Sequence, residues 1–277
     1  MDGNAGRAGL ARGRRASMTT RIITVANQKG GVGKTTSTVN IAAVVARAGR
    51  DVLVVDLDPQ GNASTALGAD HREGTPSVYE VLSGETALVD VLQQCPELPR
   101  LWTAPATIDL AGAEIELVAQ VAREYRLSRA LDAALAERHF DYVFLDCPPS
   151  LGLLTLNGLV AAREVLLPIQ CEYSALEGLS QLLRTIDMVR THLNPDLTVG
   201  AILLTMYDGR TRLASQVADE VRTHFGTQVL DTVIPRSVRV SEAPSYSQTV
   251  LTYDPQSPGA MAYREAAEQL MALQSST

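Results

Sequence analysis

Lysine is almost missing from this chain. Two occur in 277 residues, at Lys29 and Lys34, and the other 22 basic residues are arginine. Aromatic residues make up only 4%, so aliphatic side chains must fill the core. No apolar run reaches the roughly 18 residues that a membrane-spanning helix needs. Cys95, Cys147 and Cys171 show no C-x-x-C or metal-ligand spacing, which leaves them as buried thiols. His71, His139, His192 and His224 are scattered and form no ligand set. A formal net charge of −7 excludes a surface that coats nucleic acid indiscriminately.

Both lysines lie in one run, Gln28-Lys29-Gly30-Gly31-Val32-Gly33-Lys34-Thr35-Thr36. An ammonium is a compact point charge that fits among phosphate oxygens inside a tight glycine turn, where a planar guanidinium does not. The flanks agree. Arg21 to Ala26 is a short β-branched run that reads as a buried strand, and Thr35 to Ala48 reads as a helix that stops at Gly49. Backbone N–H groups of Gly30, Gly31, Val32, Gly33 and Lys34 through Thr36 are then expected to cradle phosphates at a helix N-terminus. Lys34 reaches the β- and γ-phosphates, and the Thr35 hydroxyl ligates Mg²⁺. This is a phosphate loop with one departure: Gln28 stands where the usual pattern has glycine, and Lys29 follows it.

Carboxylates occur where strands end. Val52 to Val55 leads to Asp56 and Asp58, and four apolar residues, Tyr142 to Leu145, lead to Asp146. On a strand, positions i and i+2 share a side, so Asp56 and Asp58 are expected to point together. Asp146 fits the pattern of a carboxylate that holds magnesium through water. Further strand-like runs at Val165–Pro168 and Thr198–Thr205 alternate with helical stretches. The alternation predicts an α/β fold, a doubly wound, mostly parallel sheet.

The run Lys29-Gly30-Gly31-Val32-Gly33-Lys34-Thr35-Thr36, with Asp146-Cys147-Pro148-Pro149-Ser150-Leu151-Gly152 and the block Thr232 to Ser245, resembles the ParA/Soj branch of the ParA–MinD ATPases, P-loop NTPases of the deviant Walker A type. The resemblance runs from about Arg21 to the C-terminus. It implies an ATPase with ATP and Mg²⁺ as cofactors, a homodimer with nucleotide sandwiched between subunits, and Lys29 touching phosphates across that dimer. It implies that Asp58 positions the attacking water and that Asp56 lies near the magnesium's water shell. Pro235 to Ser237 would pack on the adenine, although the family usually has asparagine where Ser237 stands. It places non-specific DNA contacts at Arg210 and Arg239, with Arg212 and Arg236 close in sequence. A ParB-like centromere-binding partner would stimulate hydrolysis and release the DNA.

Two relatives compete. A MinD-like or scaffold-associated positioning ATPase without DNA contact would need a basic amphipathic C-terminal helix to reach a membrane, and Pro258 to Leu273 carries Arg264 alone against Glu265 and Glu268. A nitrogenase-type iron–sulfur subunit would need two cysteines placed at the dimer axis, which the three present do not match. Chromosome partitioning is therefore the expected role, in the cytoplasm on the nucleoid. A chromosomal origin is expected over a plasmid one because no separate DNA-reading domain precedes the loop. Residues 20–277 are expected to form a single ATPase domain. Residues 1–19, with Arg7, Arg12, Arg14 and Arg15 against Asp2, read as a basic tail: an arm for nucleic acid, a targeting segment, or a start upstream of Met18.

Overall fold

The computed structural model describes residues 19–173 and 175–273, residues 175–177 by backbone alone. All of the expected basic tail except Thr19 lies outside the described residues.

One sheet organises the described chain. Its strands are β1 (Arg21–Val25), β2 (Val52–Asp56), β3 (Gln93–Gln94), β4 (Leu101–Ala104), β5 (Tyr142–Asp146), β6 (Glu164–Gln170), β7 (Thr198–Tyr207) and β8 (Val229–Pro235). The order across the sheet is β3-β4-β2-β5-β1-β6-β7-β8. Every neighbouring pair is parallel except β3 with β4. Eleven α-helices accompany it among the described residues: α1 (Lys34–Arg47), α2 (Asn62–Ala66), α3 (Val78–Ser83), α4 (Leu110–Val118), α5 (Arg126–Glu137), α6 (Leu153–Ala161), α7 (Ala175–His192), α8 (Arg212–Phe225), α9 (Val238–Glu242), α10 (Val250–Tyr253) and α11 (Pro258–Leu273).

The central strands are mainly apolar between their ends because both faces are covered. Alternate residues serve opposite cores: on β5, Val143 and Leu145 join Leu131, Leu154 and Leu182 on one side. Tyr142 and Phe144 join Ile41, Val45 and Leu270 on the other. α11 lies in this second core, burying Ala260, Tyr263, Ala266, Ala267 and Leu270. The Arg21 guanidinium forks onto Glu164 at 2.7 and 2.6 Å and donates to Leu270 O at 2.6 Å, tying β1, β6 and α11 together.

β1 sits between β5 and β6, with β2 and β4 beyond β5 and β7 and β8 beyond β6. The chain thus reverses its direction of travel beside β1, and the crevice outside strand C-termini at such a reversal is where open α/β sheets bind ligands. The register then delivers the carboxylates: Asp56 of β2 and Asp146 of β5 are direct neighbours, and Val25, the last residue of β1, is opposite Asp146.

Candidate active site

The loop after β1 is shaped by its glycines. Gly31 and Gly33 adopt φ of 75° and 88°, the left-handed region that a side chain would strain. Gly33 is the N-cap of α1, and no side chain caps the helix, so the N–H groups of its first turn face the loop without a side-chain acceptor. Two contacts from the far strands pin this shape. Thr205 on β7 donates its hydroxyl to Val32 O at 2.8 Å, and Asn27 spans from Pro168 O (2.8 Å) to the Lys29 N–H (3.0 Å).

Inside the loop, Lys34 is only 7% exposed and donates to Lys29 O at 3.1 Å. Burial lowers its pKa below the ordinary lysine value, and the negative charges of Asp146 and Asp58 pull it back. The Thr35 hydroxyl donates to Asp146 Oδ2 at 2.7 Å, and the Thr38 hydroxyl lies 2.7 Å from Asp146 Oδ1. A buried lysine, a hydroxyl and a carboxylate are thereby joined at a helix N-terminus, a donor set that suits a phosphate chain with a hydrated Mg²⁺. Thr38 escapes sequence reading because nothing local marks it; its spacing of three from Thr35, one helical face, is the signal that could have found it.

Asp56 is fully buried, with Oδ2 accepting from the Ser64 N–H (2.9 Å) and hydroxyl (2.7 Å) and Oδ1 from the Asp58 N–H (3.1 Å). Burial first, then repulsion from Asp146, raises its pKa above the ordinary carboxylate range, and burial raises that of Asp146. β2 ends at Asp56, so Asp58 stands in the following turn and the strand-alternation argument does not extend to it. Asp58 is 8% exposed, accepts from the Gln60 N–H at 3.0 Å and lies within electrostatic reach of Lys34 and Asp146.

The two residues that depart from the usual loop pattern both lean on the segment after β6. Lys29 forms an ion pair with Glu172. Gln28 donates to Gly178 O and Gln181 Oε1 at 3.1 and 3.0 Å. The stretch after β5 also reaches the loop, since Pro149 lies beside Gly30.

A cleft of about 160 Å³ opens beside the helix N-terminus, where Gly33 and Thr36 face Pro235, Arg236 and Ser237. The structure therefore unites the loop with the expected adenine-packing stretch, and adds Met206, whose φ of 49° is left-handed for a non-glycine residue. The four expected DNA-contact arginines are all exposed. Arg210 chelates Asp208 at 2.8 and 2.7 Å, Arg236 lies within electrostatic reach of that same Asp208, and Arg212 opens α8. Arg239 pairs instead with Glu242 (3.2 Å) and Asp254 (3.5 Å).

The described residues hold no helix long and apolar enough to cross a membrane. Residues 20–199 match the sequence model of an AAA domain. The chain is 50% identical over 252 residues to the sporulation initiation inhibitor protein Soj of Bacillus subtilis (strain 168), covering 91% of this chain and 98% of that one. It is 50% identical over 251 residues to the chromosome partitioning protein ParA of Caulobacter vibrioides (strain NA1000 / CB15N), covering 91% and 94%. Among solved structures, a Mycobacterium smegmatis protein described as cobyrinic acid a,c-diamide synthase, with an ATP analogue and magnesium bound, matches with a TM-score of 0.80. It is 44% identical over 93% of this chain and 97% of that one. The septum site-determining protein MinD of Pyrococcus horikoshii OT3, complexed with Mg-ADP, matches with a TM-score of 0.73 at 26% identity, covering 92% and 98%.

Proposed function

Because the chain belongs to the ParA/Soj family of chromosome-partitioning ATPases, and so works with ATP and Mg²⁺, we propose that it partitions DNA as a nucleotide-sandwiched homodimer. The dimer binds DNA without sequence preference, and a ParB-like partner releases it by speeding hydrolysis. The reading places the protein on the nucleoid. Residues 20–277 act as one ATPase domain.

The observation that carries this reading is the buried Lys34 ammonium, held on Lys29 O, beside the hydrogen-bonded pair of Thr35 and Asp146 at the uncapped start of α1. Lys34 and the backbone N–H groups from Gly30 to Thr36 hold the phosphates. Thr35 and Asp146, with Asp56 behind them, hold the hydrated Mg²⁺, which neutralises phosphate charge when bound. Asp58 orients the attacking water, and the base lies in the cleft against Pro235 and Ser237. Lys29 leaves Glu172 to reach phosphates of the other subunit. Arg210, Arg212, Arg236 and Arg239 meet DNA phosphates, which position a protein without reading bases.

A membrane-docking role finds little support in α11, which spends Ala260, Tyr263, Ala266, Ala267 and Leu270 on the core and leaves only Met261 and Leu273 as exposed large apolar side chains. Sedimentation with ATP tests the dimer: Lys29→Ala is expected to bind ATP as a monomer and fail to dimerise. A Lys29→Ala protein that dimerises like the parent removes the trans role.

A further inference from the structure

The turn that carries Asp58 is held from outside by a side chain with no role so far. Asp58-Pro59-Gln60-Gly61 closes with the Gly61 N–H on Asp58 O at 2.9 Å, and Gly61, at φ 64°, is the N-cap of α2. The imidazole of His71 packs onto Gly61. A Cβ built there would lie 2.7 Å from His71 Nδ1 and 3.1 Å from Ala106 O, so the ring occupies the space a side chain would take. One turn further, the Thr65 hydroxyl donates to Gly61 O at 3.1 Å and lies 2.9 Å from His71 Nε2. With its hydrogen on Gly61, that hydroxyl accepts from His71, which sets the hydrogen on Nε2. The histidine thus grips both ends of the first turn of α2.

That short helix is also what holds Asp56, through the N–H and hydroxyl of Ser64. His71 is itself anchored, because the Asp70 backbone exchanges two 2.8 Å hydrogen bonds with the side chain of Gln93 on β3. A continuous path runs from the edge strand through Asp70, His71 and Thr65 to Gly61 and Asp58. α2, five residues long, is far below the length at which a helix holds its own shape. Its geometry, and that of the turn it caps, depends on such outside contacts.

We infer that His71 is a positioning residue for ATP hydrolysis, fixing the Asp58 turn through Thr65 and Gly61. The inference rests on the proposed role of Asp58 in handling water. The phosphate loop, pinned by Thr205 and Asn27, does not depend on the histidine. Loss of His71 should therefore slow turnover and spare ATP binding.

The test uses the full chain with Mg²⁺ and DNA, measuring ATP turnover, affinity for a fluorescent ATP analogue and melting temperature for His71→Ala, His71→Gln and His71→Asn. Glutamine places an amide N–H the same number of bonds from Cα as Nε2, whereas asparagine mimics Nδ1. Alanine and asparagine are expected to lower kcat about fivefold, the scale of one lost hydrogen bond, with ATP affinity unchanged and glutamine retaining most of the rate. Unchanged turnover in His71→Ala, equal losses for all three variants, or a parallel fall in ATP affinity would each overturn the inference. If the alanine variant does not fold, the glutamine–asparagine contrast decides alone. Asp58→Ala separates the two levels. An Asp58→Ala protein that turns over normally removes the water-handling reading itself, whereas an inactive one beside a normal His71→Ala removes only the histidine's role.

Discussion

The phosphate loop and the arginine-bearing rim both offer cations, and they hold them in opposite ways. Lys34 is 7% exposed, donates to one backbone carbonyl and, among the described residues, forms no ion pair with a carboxylate. Its charge is stored in place, with the loop's left-handed glycines already bent around the space a phosphate would fill. Arg210, with its side chain 89% exposed, is closed bidentately on Asp208, and Arg239 lies between Glu242 and Asp254. A phosphate arriving at the loop meets a turn whose backbone shape is already set. One arriving at the rim must first displace a carboxylate. Preorganisation gives tight binding of one small ligand; self-paired arginines give weak, exchangeable contacts, which suits the reversible DNA binding proposed above.

The largest expected effect lies in the loop. Lys34→Ala should lower ATP affinity by about a hundredfold or more, since a buried charge-assisted donor to several oxygens is lost and nothing nearby replaces it. Titration with a fluorescent ATP analogue measures this, and near-parental binding would erase the contrast with the rim. Next comes Asp58→Ala, expected to keep Mg-ATP while turnover drops by about 10²-fold and the dimer stays on DNA. Turnover and DNA pelleting read both halves, and loss of ATP binding would make Asp58 a structural group.

Smaller effects belong to the rim. Arg210→Ala and Arg239→Ala should each weaken binding to all DNA sequences alike and flatten the salt dependence by roughly two units per dimer. Asp208→Asn should do the opposite and strengthen DNA binding, because it frees Arg210. Gel shifts across a salt series compare the two signs, and weaker binding by Asp208→Asn would show the pair to be a structural clip. The smallest effect is a titration. Hydrogen bonds from Arg210 hold the Asp208 carboxyl down at about 2. A depressed folded value means that this contribution is present at neutral pH and lost as pH falls toward 2. In Arg210→Ala the carboxyl should titrate near the ordinary aspartate range, which carbonyl-carbon NMR can follow.

What the sequence discloses depends on how local the cause is. β2 and β5 are legible because each is four apolar residues running into an aspartate, β1 because it is short and β-branched, and α1 because Gly49, at φ 84°, ends it. β3 and β4 are two and four residues long and carry no pattern of their own; they exist because the sheet edge pairs them. β8 is masked by Asp231, Thr232 and Pro235 within its seven residues. In the site, the loop residues declare themselves through glycine and lysine spacing. Glu172 on Lys29 and His71 on Gly61 are products of tertiary folding that no local pattern announces, and Thr38 on Asp146 is marked only by its helical spacing from Thr35.

The near absence of lysine has a practical corollary. Beyond the α-amine at the chain's start, acylating reagents that attack amines have two possible targets, and both belong to one six-residue stretch. The Lys29 side chain is 36% exposed and Lys34 sits almost wholly inside, so labelling should proceed at the first and be shielded at the second. A general chemistry becomes a selective probe of this loop, and a lysine-specific protease would cut the unfolded chain at just those two places.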